Sequence, residues 1–542
     1  LITGDIINNG VWTCNFVTLI GAGKQYIFQQ TGKKFDSYFS DFIGATEIEA
    51  QSDITITKDF DLNGATLRME GHMLAIDGWL KDGFISNTQL KNGYVQDLTS
   101  LDNLTTYGTV TVDENNIFRG SAVIEGTLQS NDYGAGSHSY KLLIDGDITN
   151  NGVIKNMNTG DVLSLEVNGN ITNNGLWETG YTKFTGTQDQ TIGQATGKVF
   201  QSEFSDLDSL SKVLASSDIK IAGNYNLMRS TLQMNDHEID ISGSLYNGYI
   251  LSPKIRNATL INNKVSNDIE IRGIVVIDDG NEFRGNVVVT DTMQAQAYNA
   301  GSHTYVLDIY GKVQNNGVIR NEPTQNEQLL LNIHGDIINK GVWTNTATYQ
   351  RFYPNDSTST FSFLNTGSTD WSVGEATITG GGAAAFSIIT GGGAQTVAPS
   401  QSYVIELLYT PVRGDSTATL NIPCTEIGTL NTINLIGHTY NTPYAIEEGN
   451  NPARPDVILY QNHPNPFSQT SKISWQTPGN CHVILKVFDF TGREISTLVD
   501  GDMAPGVHSV SFDATGLPGG VYFYRLRAGD VQQTGKMVIS SH

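Results

Sequence analysis

The side chains best suited to chemistry in this sequence are carboxylates. Asp278, Asp279 and Glu282 fall within one short stretch, and Asp113 and Glu114 stand at the matching place in an earlier copy of the same pattern. Two or three converging carboxylates can cut a polysaccharide, one as acid and another as base or nucleophile. The same Asp-Asp-Gly-Asn run is also an ordinary acidic turn, and an oxygen-rich loop of this kind can hold calcium. The turn is the plainer reading. His138 and His303 recur at the same offset beside Gly and Ser, which suits structural or exposed histidines better than metal ligands. Trp79, Tyr94, Tyr246 and Tyr249 could form an aromatic face on which sugar rings stack, with edge packing as the plainer alternative. No G-x-S-x-G, H-E-x-x-H, phosphate-cradling GxxxxGK[ST] or Cys-x-x-Cys occurs. No catalytic residue and no metal ligand is therefore assigned, and calcium is the one cofactor left open.

Bulk properties narrow the partners. The chain has 542 residues, 32 basic against 55 acidic, for a net charge of −23. That charge is repelled by phosphate backbones and anionic lipid, so nucleic acid and peripheral membrane binding are set aside. No apolar run approaches the ~20 residues of a membrane-spanning helix. The three cysteines, Cys14, Cys424 and Cys481, are too sparse for a disulfide framework. With 57 glycines and only 16% charged residues, the chain suits strands and turns. Leu1 opens inside a repeat motif with no signal-peptide pattern before it, so a processed or partial chain is expected.

The elements that must position these groups come from a long internal repeat. GDIINNGVW starts at Gly4, and relatives start at Gly146, Gly169, Gly311 and Gly335. Gly4, Gly169 and Gly335 are evenly spaced, and Gly146 and Gly311 keep the same spacing. The repeating unit is thus about 165 residues long, well beyond a single supersecondary repeat. Phe39-Ser40-Asp41 matches Phe204-Ser205-Asp206, and Phe118-Arg119-Gly120 matches Phe283-Arg284-Gly285. Within each unit the short motif returns after about 23 residues, the length of one coil of a parallel β-helix. Leu163, Leu165 and Val167 alternate with Ser164 and Glu166, as a half-buried strand does. Leu329, Leu331 and Ile333 repeat the pattern, with Leu330 on the polar side. Asn-Asn-Gly supplies positive-φ corners, and Asn150 over Asn173 and Asn315 over Asn339 would form amide ladders. Arg119 and Arg284 read as caps or pairs within their own coils. At this coil length a unit has about seven coils and a length of roughly 34 Å, and two units make a rod of about 70 Å. Tyr94 to Tyr107 looks irregular and is expected as a projecting loop.

The G-x-I-x-N-x-G pattern resembles the repeats of filamentous-haemagglutinin-like surface solenoids. Near Tyr353 the composition shifts. Phe361 to Gly367, the glycines at 380–382 and 391–393, Pro399 to Ile405 and Tyr409-Thr410-Pro411 read as a β-sandwich. Their order over about 355–425 resembles the Hydin-like immunoglobulin-type family and implies a spacer or interaction module. Prolines 443, 452 and 455 mark a linker over 441–456.

The last stretch carries Asn462, Pro464, Asn465, Pro466 and Phe467. It continues with Gly492-Arg493 and Gly516-Leu517, then Gly520-Val521-Tyr522, and closes at Lys536. In this order it resembles the type A C-terminal sorting domain of type IX secretion cargo. His463 stands where the family usually has Tyr, and the chain ends without a basic residue. The resemblance implies an immunoglobulin-like fold, recognition by the outer-membrane export machinery of a Gram-negative bacterium, and delivery to the cell surface or medium.

The expected architecture is all-β. A parallel β-solenoid over 1–352 holds repeats 4–168 and 169–334 and the start of a third at 335. An immunoglobulin-like β-sandwich follows over 353–440, then the linker, then the sorting domain over 457–542. The expected function is a secreted structural or adhesive surface protein able to form a homo-oligomer or fibre. A secreted polysaccharide-binding or polysaccharide-degrading β-helix is the alternative, with glycan as its partner.

Overall fold

Alternation of apolar and polar residues organises the first two-thirds of the chain. In Asp161–Val167 every second residue is buried and those between are half-buried, the pattern of a strand with one face in a core. The computed structural model describes all residues except 22, 42–46, 135–136, 208–211, 298–301, 324–326, 354–357, 413, 439–457, 460–461, 463–466, 468, 478–480, 490–492, 505, 529–530 and 540–542. The described residues form strands and two short 3-10 turns, with no α-helix. The expected linker over 441–456 lies outside them.

From Ile6–Asn8 onward each strand pairs in parallel with a strand one coil later, giving a β-solenoid of about 16 turns. Coil length varies. Phe84 pairs with Thr99, a short step along the chain, while Phe118 pairs with Ile144, a much longer one. The short coils raise the number of turns per unit above the seven expected from a constant coil length. They also absorb Tyr94–Ser100 and Leu104–Tyr107, which are ladder strands and not a projecting loop. Inside the solenoid identical positions stack, as in Ile148–Ile171–Ile192, and all three are fully buried. A single coil has nothing to bury its apolar face against, so stability resides in these contacts between neighbours.

The Asn ladder forms as expected. The Asn150 side-chain amide donates to Asn173 Oδ1 at 2.9 Å and to the Leu176 carbonyl at 2.7 Å. Asn315 donates likewise to Asn339 and Val342. All four asparagines are buried. Asn150→Ala is expected to lower the unfolding free energy by about 1–3 kcal/mol, because buried acceptors lose their donor. The urea midpoint at constant m-value measures this, and an unmoved midpoint would show the ladder to be idle.

The glycine of the same motif has a different role from the one its sequence suggests. Gly152, Gly175, Gly317 and Gly341 do not have positive φ. Instead, a Cβ at Gly152 would lie 2.1 Å from the Gly126 carbonyl oxygen, and one at Gly175 would lie 2.0 Å from that of Gly152. Backbones of successive coils touch here, and only hydrogen fits between them.

Two of the motif tryptophans, Trp177 and Trp343, are buried with their N–H groups satisfied, whereas Trp12 in the first copy is half-buried. Trp177 Nε1 donates to Thr179 and Thr182, and Trp343 Nε1 to Asn345 and Thr348. At the last coil Thr358–Leu364 pairs in parallel with Ile337–Asn339 and, along its other edge, antiparallel with Ser402–Tyr409. Thr429 donates to the Trp343 carbonyl. The ladder thus passes directly from parallel coils into an antiparallel sheet within one compact unit.

The second unit contains the C-terminal segment. It has a four-stranded antiparallel sheet ordered Glu494–Met503, Cys481–Asp489, Gly520–Ala528, Val531–Ile539. A second sheet holds Ile458–Leu459, Thr470–Thr477 and Gly506–Asp513. Phe467, Ile473, Trp475, Leu485, Phe512, Tyr524 and Met537 belong to its own core.

Candidate functional site

The duplicated carboxylates sit at one type of corner. Asp113 Oδ1 accepts the Glu114 N–H at 2.7 Å, and Asp278 Oδ1 accepts the Asp279 N–H at 2.6 Å. The residue needing positive φ is Asn115 in the first copy and Gly280 in the second. Buried Asn116 and Asn281 tie each corner to the coil before it, through the carbonyls of Val95 and Leu260. These bonds build a turn. Glu282 lies on the following strand and pairs with Arg284 at 2.6 Å, so Arg284 is paired within its own coil.

Stacking brings His303 to this corner but sets His138 against an acid of the following coil. His138 Nδ1 lies 3.3 Å from Asp161 Oδ1 in the next coil, whereas His303 Nε2 lies 3.0 Å from Asp279 in the preceding one. Asp161 also accepts from Asn158 and from the Tyr133 N–H. The Asn158 bond, then the Tyr133 amide and His138, hold its carboxyl below the usual range. Burial, followed by the charges of Asp113, Asp161 and Glu114, pushes the Tyr140 phenol up to about 12. Both groups move away from neutrality, while proton transfer at neutral pH is served best by groups poised near it. Asp161 and Tyr140 were missed at the sequence level. The signal was the regular return of the motif, which places Asp161 beside His138. Among the described residues no group of three or more His, Cys, Asp or Glu could hold a metal ion.

One further acid is enclosed by the solenoid. Asp206 is 1% exposed and accepts from the hydroxyls of Tyr225, at 2.9 Å, and Ser230. Burial pushes its carboxyl up to about 7 against the lowering effect of those two bonds. The unfolded value is near 3.9, so the fold favours the protonated form. Its contribution to stability is full at acid pH and is lost as pH rises through about 7. Asp206→Asn is expected to flatten the fall of Tm between about pH 4 and pH 7 and to raise Tm above neutral pH. An unchanged slope of Tm against pH would refute the assignment.

The aromatic candidates divide. Trp79 and Tyr94 stack on each other, with ring centroids 4.9 Å apart. Tyr246 is half-buried and Tyr249 is 42% exposed.

In the C-terminal unit the sorting-motif residues separate into buried and exposed sets. Asn462 is 1% exposed; its N–H donates to the Tyr524 hydroxyl at 3.0 Å and its side chain to Ser471 at 2.8 Å. Phe467 packs edge-on against Phe512. The Tyr522 hydroxyl donates to the Pro518 carbonyl. Gly516 takes φ +84 in the turn where Asp513 accepts from Thr515. Leu517 and Val521 are half-buried, whereas Gly520, Arg493 and Lys536 are exposed. Arg493 pairs with Asp489 at 3.0 Å. Pro464, Asn465, Pro466 and Gly492 lie outside the described residues. Sequence reading overlooked Gly535. It pairs across strands with Tyr524, and a Cβ there would lie 2.1 Å from the tyrosine ring. An aromatic residue opposite a strand glycine was the available signal.

Residues 461–540 match the family described as secretion system C-terminal sorting domain. No curated protein matches the chain. Among solved structures, the crystal structure of the E. coli chaperone DraB is similar at 17% identity, over 36% of this chain and 94% of that one. Its TM-score is 0.14, too low to bear on the fold. No helix among the described residues is long and apolar enough to cross a membrane.

Proposed function

We propose that this protein, which its type IX sorting domain sends to the cell surface or the medium, serves there as a structural or adhesive solenoid. The observation that carries the reading is how the duplicated polar residues are used. Asp113 and Asp278 cap turns, Asn150 and Asn315 join coils, and Asn116 and Asn281 tie corners down. Positions kept in both copies serve the stacking of coils, as expected of a scaffold whose product is surface. The likeness of the repeats to filamentous-haemagglutinin-like solenoids supports adhesion. The likeness of 355–425 to Hydin-like modules supports a spacer between solenoid and anchoring end. The last coil's strand Thr358–Leu364 is covered by Ser402–Tyr409, so assembly into fibres is proposed along the repeating sides of the solenoid.

Electron microscopy of the protein recovered from the cell surface or medium tests this reading. Ordered fibres, or a coat that is lost with the gene, are the expected result. Isolated monomers at high concentration, with no change in cell attachment on deletion of the gene, would overturn it.

A further inference from the structure

The two repeats share a register but differ in one outward column. Phe16 pairs with Tyr38, Tyr38 lies beside Asp59, Asp59 beside Trp79, and Trp79 pairs with Tyr94. These five residues occupy one surface line across five successive coils, a span of roughly 19 Å at the ~4.8 Å strand spacing. Phe16 and Tyr38 stack with centroids 5.3 Å apart, as Trp79 and Tyr94 do at 4.9 Å. The rings are not enclosed: Phe16 is 74% exposed, and Tyr38 and Tyr94 are each 38% exposed. Lys58 Nζ sits 5.1 Å from the Tyr38 centroid.

The second repeat supplies an internal control. At the repeat offset, Phe16, Tyr38, Asp59, Trp79 and Tyr94 become Tyr181, Glu203, Asn224, Ser244 and Thr259. The second copy keeps the same pairings, Tyr181 with Glu203 and Ser244 with Thr259. The coils therefore stack equally well with one aromatic ring on this line as with four. Packing does not account for Tyr38, Trp79 and Tyr94, and an exposed row of large rings marks contact with something else.

A polar line accompanies the aromatic one. Side chains two positions apart on a strand share a face, so Thr18, Ser40, Asp61, Lys81 and Gln96 run beside the rings, each paired with the next. A strip of rings flanked by hydroxyl, carboxylate, ammonium and amide groups suits a polymer that is apolar on its ring faces and hydroxylated at its edges. We infer that this line of the first repeat binds a neutral polysaccharide chain lying along the solenoid. Rings take up its C–H faces, and Asp61, Lys81 and Gln96 take up its hydroxyls. An acidic polysaccharide fits less well, since the chain carries a net charge of −23. The inference gives the adhesive reading a ligand class and rests on that reading only for the extracellular setting; microscopy of fibres judges that reading separately.

The test exchanges residues between copies, so each variant carries side chains that the same fold already holds at that register. Full-length protein and the variants W79S/Y94T and Y38E/W79S/Y94T are compared for retention on insoluble cellulose and chitin, and in native gels containing soluble β-glucan or alginate. The expected result is retention of the parent protein by at least one neutral polysaccharide and a tenfold or greater loss in W79S/Y94T. The reciprocal S244W/T259Y is expected to gain retention. Three results would each overturn the inference. The parent could bind none of the neutral polymers or bind alginate alone; W79S/Y94T could be retained as well as the parent; or light scattering could show a parent dimer that W79S/Y94T converts to monomer, making the strip a contact between two copies.

Discussion

Gly175→Ala is expected to be among the most damaging single substitutions in the solenoid. Its Cβ would stand 2.0 Å from the Gly152 carbonyl oxygen, with the Asn150 side-chain amide 3.1 Å away. Backbone cannot move aside as the end of a flexible side chain can. The coil must lift, and lifting it stretches the Leu176 N–H to Gly152 carbonyl bond of 2.9 Å and the buried Asn150–Asn173 contact. Overpacking of a tight interior costs about 1–3 kcal/mol, and a lost buried hydrogen bond about 1 kcal/mol more. A destabilisation of about 3 kcal/mol is expected from these two terms, read as a lowered urea midpoint. Gly381 lies in a turn after Thr377–Thr379, outside the coils, and no atom lies within 4 Å of its Cβ position. Neither glycine has positive φ, so alanine is conformationally allowed at both. Gly381→Ala should be neutral, or stabilising by about 0.4–1 kcal/mol through a less flexible unfolded chain. Equal effects at both sites would show that conformation, not coil contact, explains the glycine.

The other large effect concerns export. Removal of residues 461–542 is expected to abolish appearance of the protein at the surface and in the medium, because those residues hold the matched sorting domain. Among the described residues the solenoid core contains none from this segment, and the segment has a separate core of its own. The truncated chain should therefore fold and accumulate inside the cell. Immunoblots of cell, surface and medium fractions measure this, with thermal unfolding of the retained protein as the control for folding. Arg493→Ala and Lys536→Ala, both on exposed side chains, separate recognition from folding: reduced export of a stably folded variant would mark a contact with the export machinery. Undiminished export of the truncated chain would move the signal elsewhere.

Much of this architecture is local and was therefore legible. Alternation along Asp161–Val167 belongs to a single strand, and the buried face follows from it whatever lies above or below. The Asn150–Asn173 and Asn315–Asn339 ladders followed from a short motif returning at a near-constant distance. The sorting motifs were readable because they are contiguous, although Tyr524 and Gly535 meet only through strand pairing.

What the sequence left undecided is register between coils. Phe16, Tyr38, Trp79 and Tyr94 are unevenly spaced along the chain, and no constant period joins them. They form one line because each strand is held to the next by its own ladder, although the coils between them differ in length. The same variability raised the number of turns and drew Tyr94–Tyr107 into the wall. The pairing of His138 with Asp161 in one copy and of His303 with Asp279 in the other is likewise visible only in the folded chain. The motif glycine shows the limit most plainly: sequence marks where a side chain is missing, but only the stacked backbone reveals that a carbonyl of the neighbouring coil fills the space. A strand's alternation is decided by its own residues, whereas lateral alignment is decided by the sum of every corner between two strands, and that sum exists only in the folded solenoid.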